Sequence, residues 1–184
     1  MKIFKFFKRE KKKPEQLIKE FEIGRSMLMK RVREISDKLR KEGYKVLELI
    51  PIIVSVGKAD PKSPFGIVMV VTNELYNKFN EYADMGTYGN NFLNMFHVGD
   101  YSFLLIVAKD DEKRLAICYP TAFRKKHVKK IQGKDIIYIY IVNGETSKYT
   151  LIYFPNVRWG VTPKSEIELK ESEIKNEPPS TMYR

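Results

Sequence analysis

Hydrophobic residues crowd into short runs between Asp100 and Phe154, and their spacing predicts strands rather than helices. The expected strands are Tyr101–Lys109, Arg114–Tyr119, Asp135–Val142 and Lys148–Phe154. Ser102–Ala108 and Ile136–Val142 are apolar on both parities and rich in β-branched and aromatic residues, the pattern of strands covered on both faces. Asp110-Asp111-Glu112 suits a solvated hairpin tip, and Pro120 is expected to end the returning strand. Asn143-Gly144 predicts a two-residue turn pairing Val142 with Glu145 and Tyr138 with Tyr149. Ile137, Ile139 and Ile141 then face one way, and Tyr138, Tyr140, Tyr149 and Tyr153 the other. A third hairpin is expected from Tyr44–Val56 and Ile67–Thr72, with Pro51 at an edge or bulge.

Helical spacing dominates the N-terminal quarter. Pro14 and Glu15 suit a first turn, Gly43 suits a C-terminal cap, and Leu28, Val32, Ile35 and Leu39 form one apolar stripe. A second helix is expected over Asn73–Ala83 with Leu75, Tyr76 and Phe79 inward. Met85–Gly99 reads as a loop and short helix covering a sheet face, and Thr121–Ile131 as a short helix capped by Thr121. The fold class that follows is α+β: a mainly antiparallel sheet built from three hairpins, with an N-terminal basic amphipathic helix and short covering helices. The expected organisation is a basic aromatic arm over 1–13, one domain over 14–161 and a polar tail over 162–184.

Charge changes the picture more than composition does. The chain has 184 residues and a net charge of +11, and residues 1–45 carry 16 Lys and Arg against 7 Asp and Glu. A second patch, Arg124–Lys134, holds six basic residues and no acid. Such asymmetry points to an anionic partner, nucleic acid or a membrane surface. A Lys-rich, Gln-poor composition is also what a thermophile's surface carries. One cysteine, Cys118, allows no internal disulfide, and no run is long enough to span a membrane, so the expectation is a cytoplasmic protein. The arm MKIFKFFKREKKK, interleaving aromatics with lysines, suits either anionic lipid or a phosphate backbone.

Leu17–Arg33 resembles the two-helix unit of helix-turn-helix repressors. The resemblance puts Leu17, Ile18 and Phe21 on a supporting helix and Ile23 in the turn. Leu28 and Val32 would anchor a recognition helix whose Arg25, Ser26, Met27, Met29, Lys30 and Arg33 face the major groove. The motif asks for a small residue and a left-handed residue where this chain has Ile18 and Glu22, with Gly24 two positions on. The other reading of these residues is one amphipathic helix, bent near Gly24 and packed on the sheet.

Candidate chemistry is sparse. His97 and His127 are far apart and lack zinc-ligand spacing, and Cys118 falls on a strand. Lys62-Ser63 ends like a phosphate-binding loop, but the glycines it needs are Val56 and Pro61. Asp100, Asp110, Asp111, Glu112 and Lys113 are the set a metal-dependent nuclease would draw on. The tyrosine face of the last hairpin could stack bases, but the expectation is that it is core or is covered by Met85–Gly99. The leading expectation is non-enzymatic binding of nucleic acid, duplex DNA first, with no cofactor and no metal. The binding residues would be Arg25, Lys30, Arg33, Arg124, Lys125, Lys129 and Lys130. A peripheral membrane or scaffold protein is the alternative, and the nuclease is third.

Overall fold

The computed structural model describes residues 11–132, 135–155 and 157. Most of the arm and the whole 162–184 tail lie outside the described residues. The N-terminal helix α1, Pro14–Lys41, is continuous over 28 residues. Pro14 sits in its first turn, Lys38, Arg40 and Lys41 favour its negative end, and Gly43 closes it at φ +90°. Of the two readings of Leu17–Arg33, the helix-turn-helix is overturned and the amphipathic helix packed on the sheet is the one found. Gly24 makes no turn; it lies buried inside α1, where the missing side chain lets the helix touch the ring of Phe103.

Eight strands follow: β1 Lys45–Glu48, β2 Ile53–Gly57, β3 Gly66–Val71, β4 Asn90–Val98, β5 Tyr101–Asp110, β6 Leu115–Arg124, β7 Ile137–Asn143 and β8 Tyr149–Phe154. They form two four-stranded sheets, ordered β1-β6-β5-β4 and β2-β3-β7-β8. β1 runs parallel to β6 and β3 parallel to β7, while the remaining pairs are antiparallel. The expectation of one mainly antiparallel sheet of three hairpins is corrected accordingly: the fold is α+β with two mixed sheets. The run Tyr44–Val56 is not one strand of a hairpin. It crosses at Pro51, so that β1 joins the first sheet and β2 the second.

Three further elements differ from the sequence reading. Met85–Gly99 supplies β4: Phe92 and Phe96 face α1, while Leu93 and Met95 face the second sheet. β6 runs through Pro120 to Arg124, and Thr121 is no helix cap but buried, donating from Oγ1 to the Leu104 carbonyl at 3.1 Å. β1 stops pairing at Cys118, so Pro120 interrupts no second ladder. The 143–148 loop is longer than two residues because Asn143 Oδ1 accepts the amides of Glu145 and Thr146 at 2.9 and 3.3 Å. Val142 consequently pairs with Tyr149 and Tyr138 with Tyr153. The slip is by an even number of residues, so isoleucines and tyrosines keep the faces expected of them.

Two cores result. Between the sheets lie Leu104, Ile106, Ile117 and Tyr119 against Ile67, Met69, Ile139, Ile141 and Phe154. The second helix, α2 (Asn73–Met85), is capped by Thr72 and adds Phe79 to this core. Leu28, Val32 and Leu39 of α1 cover Phe103, Leu105, Val107 and Cys118 on the first sheet's other face. Each such side chain contributes roughly 1.5–3 kcal/mol when fully buried. No described helix is long and apolar enough to cross a membrane.

The Gly24 contact makes a prediction of opposite sign to helix propensity. In an exposed helix Gly24→Ala would stabilise by about 1 kcal/mol. Here the added Cβ meets Phe103, and a loss of about 1–3 kcal/mol is expected in urea unfolding. A Phe103→Leu background should shrink that loss; stabilisation by Gly24→Ala alone would refute the contact.

Candidate functional site

β6 ends beside the start of β5, where Tyr101 pairs with Arg124. The chain then makes a 3-10 turn, Lys125–His127, and a short helix α3, Val128–Gln132, before entering the second sheet as β7. Ile131 is buried in the inter-sheet core, which anchors α3 and turns its lysines outward. Lys125, Lys126, Lys129 and Lys130 are all exposed. The Arg124 guanidinium lies 4.6 Å over the Tyr101 ring, and that ring meets Phe21 of α1 edge-on at 5.2 Å. Lys130 Nζ lies 5.5 Å over Phe65, so the loop between β2 and β3 joins the same end of the molecule.

Of the seven basic residues expected to bind, Arg124, Lys125, Lys129 and Lys130 come together here. Arg25 is exposed one helical turn beyond Phe21 and therefore adjoins this end. Lys30 and Arg33 do not join it, since they stand roughly 8 and 12 Å further along the helix axis than Arg25. Acids also temper that half of α1. Lys30 and Arg31 approach Glu34 at 3.9 and 3.6 Å, and Arg40 contacts Asp37 and Glu48 at 3.3 and 3.2 Å. At the other end of α1, beside Tyr101 and Lys125, Lys12 bonds Glu20 at 2.7 Å and Asp100 at 3.4 Å.

By contrast, no described carboxylate forms an ion pair with any basic residue of the 124–130 segment. The field shows in the two histidines. Burial, then the charges of Lys126 and Lys130, hold the His127 imidazole below its ordinary pKa. Burial, then Lys125, does the same to His97, whose Nδ1 is 2.7 Å from Ser102 Oγ. Lys126 was an unassigned member of the segment, and its position among the others follows from the 3-10 turn. The seat of Arg124 on Tyr101 had no sequence signal, because β-strand pairing creates it.

The carboxylates of the nuclease reading do not converge. Asp100 and Asp110 flank opposite ends of β5, about 30 Å apart at strand rise. Asp110 accepts the amides of Thr87 and Lys113 at 2.7 and 2.9 Å. Asp111 accepts from Tyr44 Oη and Asn90 Nδ2 at 2.5 and 2.7 Å. These oxygens fasten a hairpin tip. Among the described residues no three His, Cys, Asp or Glu side chains are grouped to hold a metal ion. Burial pushes the Cys118 thiol up to about 11. In the loop resembling a phosphate cradle, the amides of Lys62 and Ser63 are spent on Asp60 Oδ1 at 2.8 and 3.0 Å.

The profile of a family of unknown function, DUF7529, matches residues 25–143. That span includes both the α1 surface from Arg25 onward and the whole 124–130 segment. No curated protein matches the chain, and no solved structure does.

Asp110 supports a pH prediction. Burial works against its ionised form, but the amides of Lys113, Thr87 and Glu112 outweigh that and hold its pKa below the usual 3.8. A carboxyl lowered in the folded state stabilises fully above its unfolded pKa and ceases to as pH falls through the folded one. Asp110→Asn should therefore lower the thermal midpoint at neutral pH and flatten its decline between about pH 5 and pH 2. An unchanged acid limb would show that the tip does not depend on this carboxylate.

Proposed function

We propose that this chain, which belongs to the DUF7529 family, is a non-enzymatic nucleic-acid-binding protein that grips phosphates at the basic end of its two sheets. The observation carrying this reading is the 124–130 segment. Five of its seven residues are basic, a buried isoleucine just beyond holds it in place, and no described acid pairs with them. Elsewhere among the described residues Lys12, Lys30, Arg31, Arg40, Lys78 and Lys109 each meet an acid in an ion pair. Phosphate contacts position a nucleic acid without reading its sequence. With α1 a single helix lying flat on a sheet, no described helix projects as a recognition helix, so the expected binding is sequence-independent.

Arg25, Arg124, Lys125, Lys126, Lys129 and Lys130 would neutralise about six phosphates, so affinity should fall with salt at a log–log slope near about −5. Lys125→Glu/Lys129→Glu/Lys130→Glu, all at exposed positions, should weaken binding and flatten the slope by at least about 0.9 per lysine. Fluorescence anisotropy with a mixed-sequence oligonucleotide across a salt series measures both. A salt-independent affinity in the wild type would sink the proposal.

Bound phosphate beside His127 favours the imidazolium, so its depressed pKa should rise when oligonucleotide is added. With two histidines in the chain, proton NMR titration reads each separately. His127 should move and His97, held against Ser102, should move less.

One observation favours a second reading. Ile18, Ile23 and Met27 of α1 are exposed at 58, 46 and 43%, near Lys19 and Lys30. An anionic lipid surface would suit such a helix side. Sedimentation with phosphatidylserine vesicles that is lost in Ile23→Asp/Met27→Asp, together with no oligonucleotide binding, would favour this reading.

A further inference from the structure

We propose that the outer face of the second sheet is a stacking platform for single-stranded nucleic acid, fed by the basic end beside it. The proposal rests on the nucleic-acid reading above and deepens it by naming the strand state of the ligand.

The first sheet is covered on both faces, by α1 and by the second sheet. Among the described residues the second sheet is covered on one. α2 lies on its inner side, where Tyr76 Oη reaches Thr150 Oγ1 at 3.1 Å and Phe79 enters the core. No described helix packs on the other side. Strand register aligns that side into rows: Ile53, Val70, Val142 and Tyr149 form one, and Tyr138 beside Tyr153 another. None of the outward positions on the four strands carries a charge. Tyr149 is 47% exposed, and Tyr138 and Tyr153 are partly exposed with ring centroids 6.0 Å apart.

The loop between β2 and β3 borders this face. Tyr140 points outward like its neighbours, yet it is buried, because its Oη donates to the Pro64 carbonyl at 2.5 Å and the loop lies against its ring. That fold-over carries the exposed Lys58 and Lys62 to the rim, while Asp60 in the same loop is occupied by Ser63 and the Lys62 amide. Lys130 touches Phe65 of this loop, and α3 leads into β7, whose first outward ring is Tyr138. Basic side chains therefore run from α3 to the edge of an uncharged tyrosine surface.

A duplex presents phosphates and keeps its bases stacked inside, so it would use the lysines and leave the rings idle. A single strand offers both groups. Tyr138 on β7 and Tyr149 on β8 stand four register positions apart on this face, about 13 Å at strand rise, which serves two stacking positions along an extended chain. A second copy of the protein fits less well. Four strands about 4.8 Å apart and about 20 Å long would bury roughly 800 Å² from two copies, short of the roughly 1,200 Å² of a stable interface. The loop standing over Tyr140 also prevents flat contact.

The test compares a labelled twelve-residue oligothymidylate with a duplex of equal length by anisotropy, using the full chain and its Tyr149→Ala and Lys125→Glu/Lys129→Glu/Lys130→Glu variants. Single strand should bind at least tenfold tighter than duplex. Tyr149→Ala, at an exposed position, should weaken the single strand about five- to 100-fold and leave the duplex unchanged. Equal affinities that Tyr149→Ala does not alter would overturn the platform while the basic end stands. Failure to bind either probe would remove both readings. A dimer in sedimentation that Val70→Asp dissociates would also overturn it, by assigning the face to a second copy.

Discussion

β5 is buried on both faces over its whole middle, and that constraint shapes the rest. Ser102 through Ala108 are all buried, with Leu104, Ile106 and Ala108 facing the second sheet and Phe103, Leu105 and Val107 facing α1. A strand apolar on both sides cannot end at solvent on either, so the molecule must be layered around it. The helix layer needs a closest-approach point, which Gly24 provides by admitting the edge of Phe103. Phe103 in turn stacks on Phe96 of β4 at 5.2 Å, tying helix, central strand and edge strand together.

Layering also decides where chemistry can happen. Among the described residues, faces occupied by cores leave the sheet ends, the turns and one outer face. The β5–β6 tip is used structurally, with Asp110 and Asp111 holding neighbouring amides, Tyr44 and Asn90. At the opposite end Arg124 is held over Tyr101, and the lysines that follow form no ion pair with a described acid, although the Asp100 carbonyl accepts the Lys125 amide at 2.8 Å. The difference between a spent acidic turn and an unspent basic one is why binding, rather than metal-assisted hydrolysis, is the reading advanced.

Where local pattern and structure differ, the cause is common. Met85–Gly99 reads locally as a loop and short helix because glycine and asparagine are frequent there, yet Phe92, Phe96, Leu93 and Met95 find cores on both sides and make Asn90–Val98 a strand. Thr121 reads as a cap after a proline, but β6 goes on because its β5 partner goes on. Leu17–Arg33 carries helix-turn-helix spacing, yet its apolar stripe also fits the single helix packed on the sheet, and that is the one formed. Local signals were overruled wherever a long-range partner offered more burial or a complete hydrogen-bond ladder.

What the sequence by itself determined is the set of features that depend on near neighbours. The extent of α1 from Pro14 to the Gly43 stop, the α2 helix and the strand character of residues 101–109 and 137–142 follow from periodicity and capping. So does the segregation of isoleucines from tyrosines on the last hairpin, since an even slip preserves it. Only the tertiary structure decided that the strands divide into two sheets, that β1 and β3 run parallel to distant partners, and that Arg124, Phe21 and Phe65 share one end of the molecule. Those outcomes are set by contacts between residues far apart in the chain, and local periodicity carries no record of which strand lies next to which.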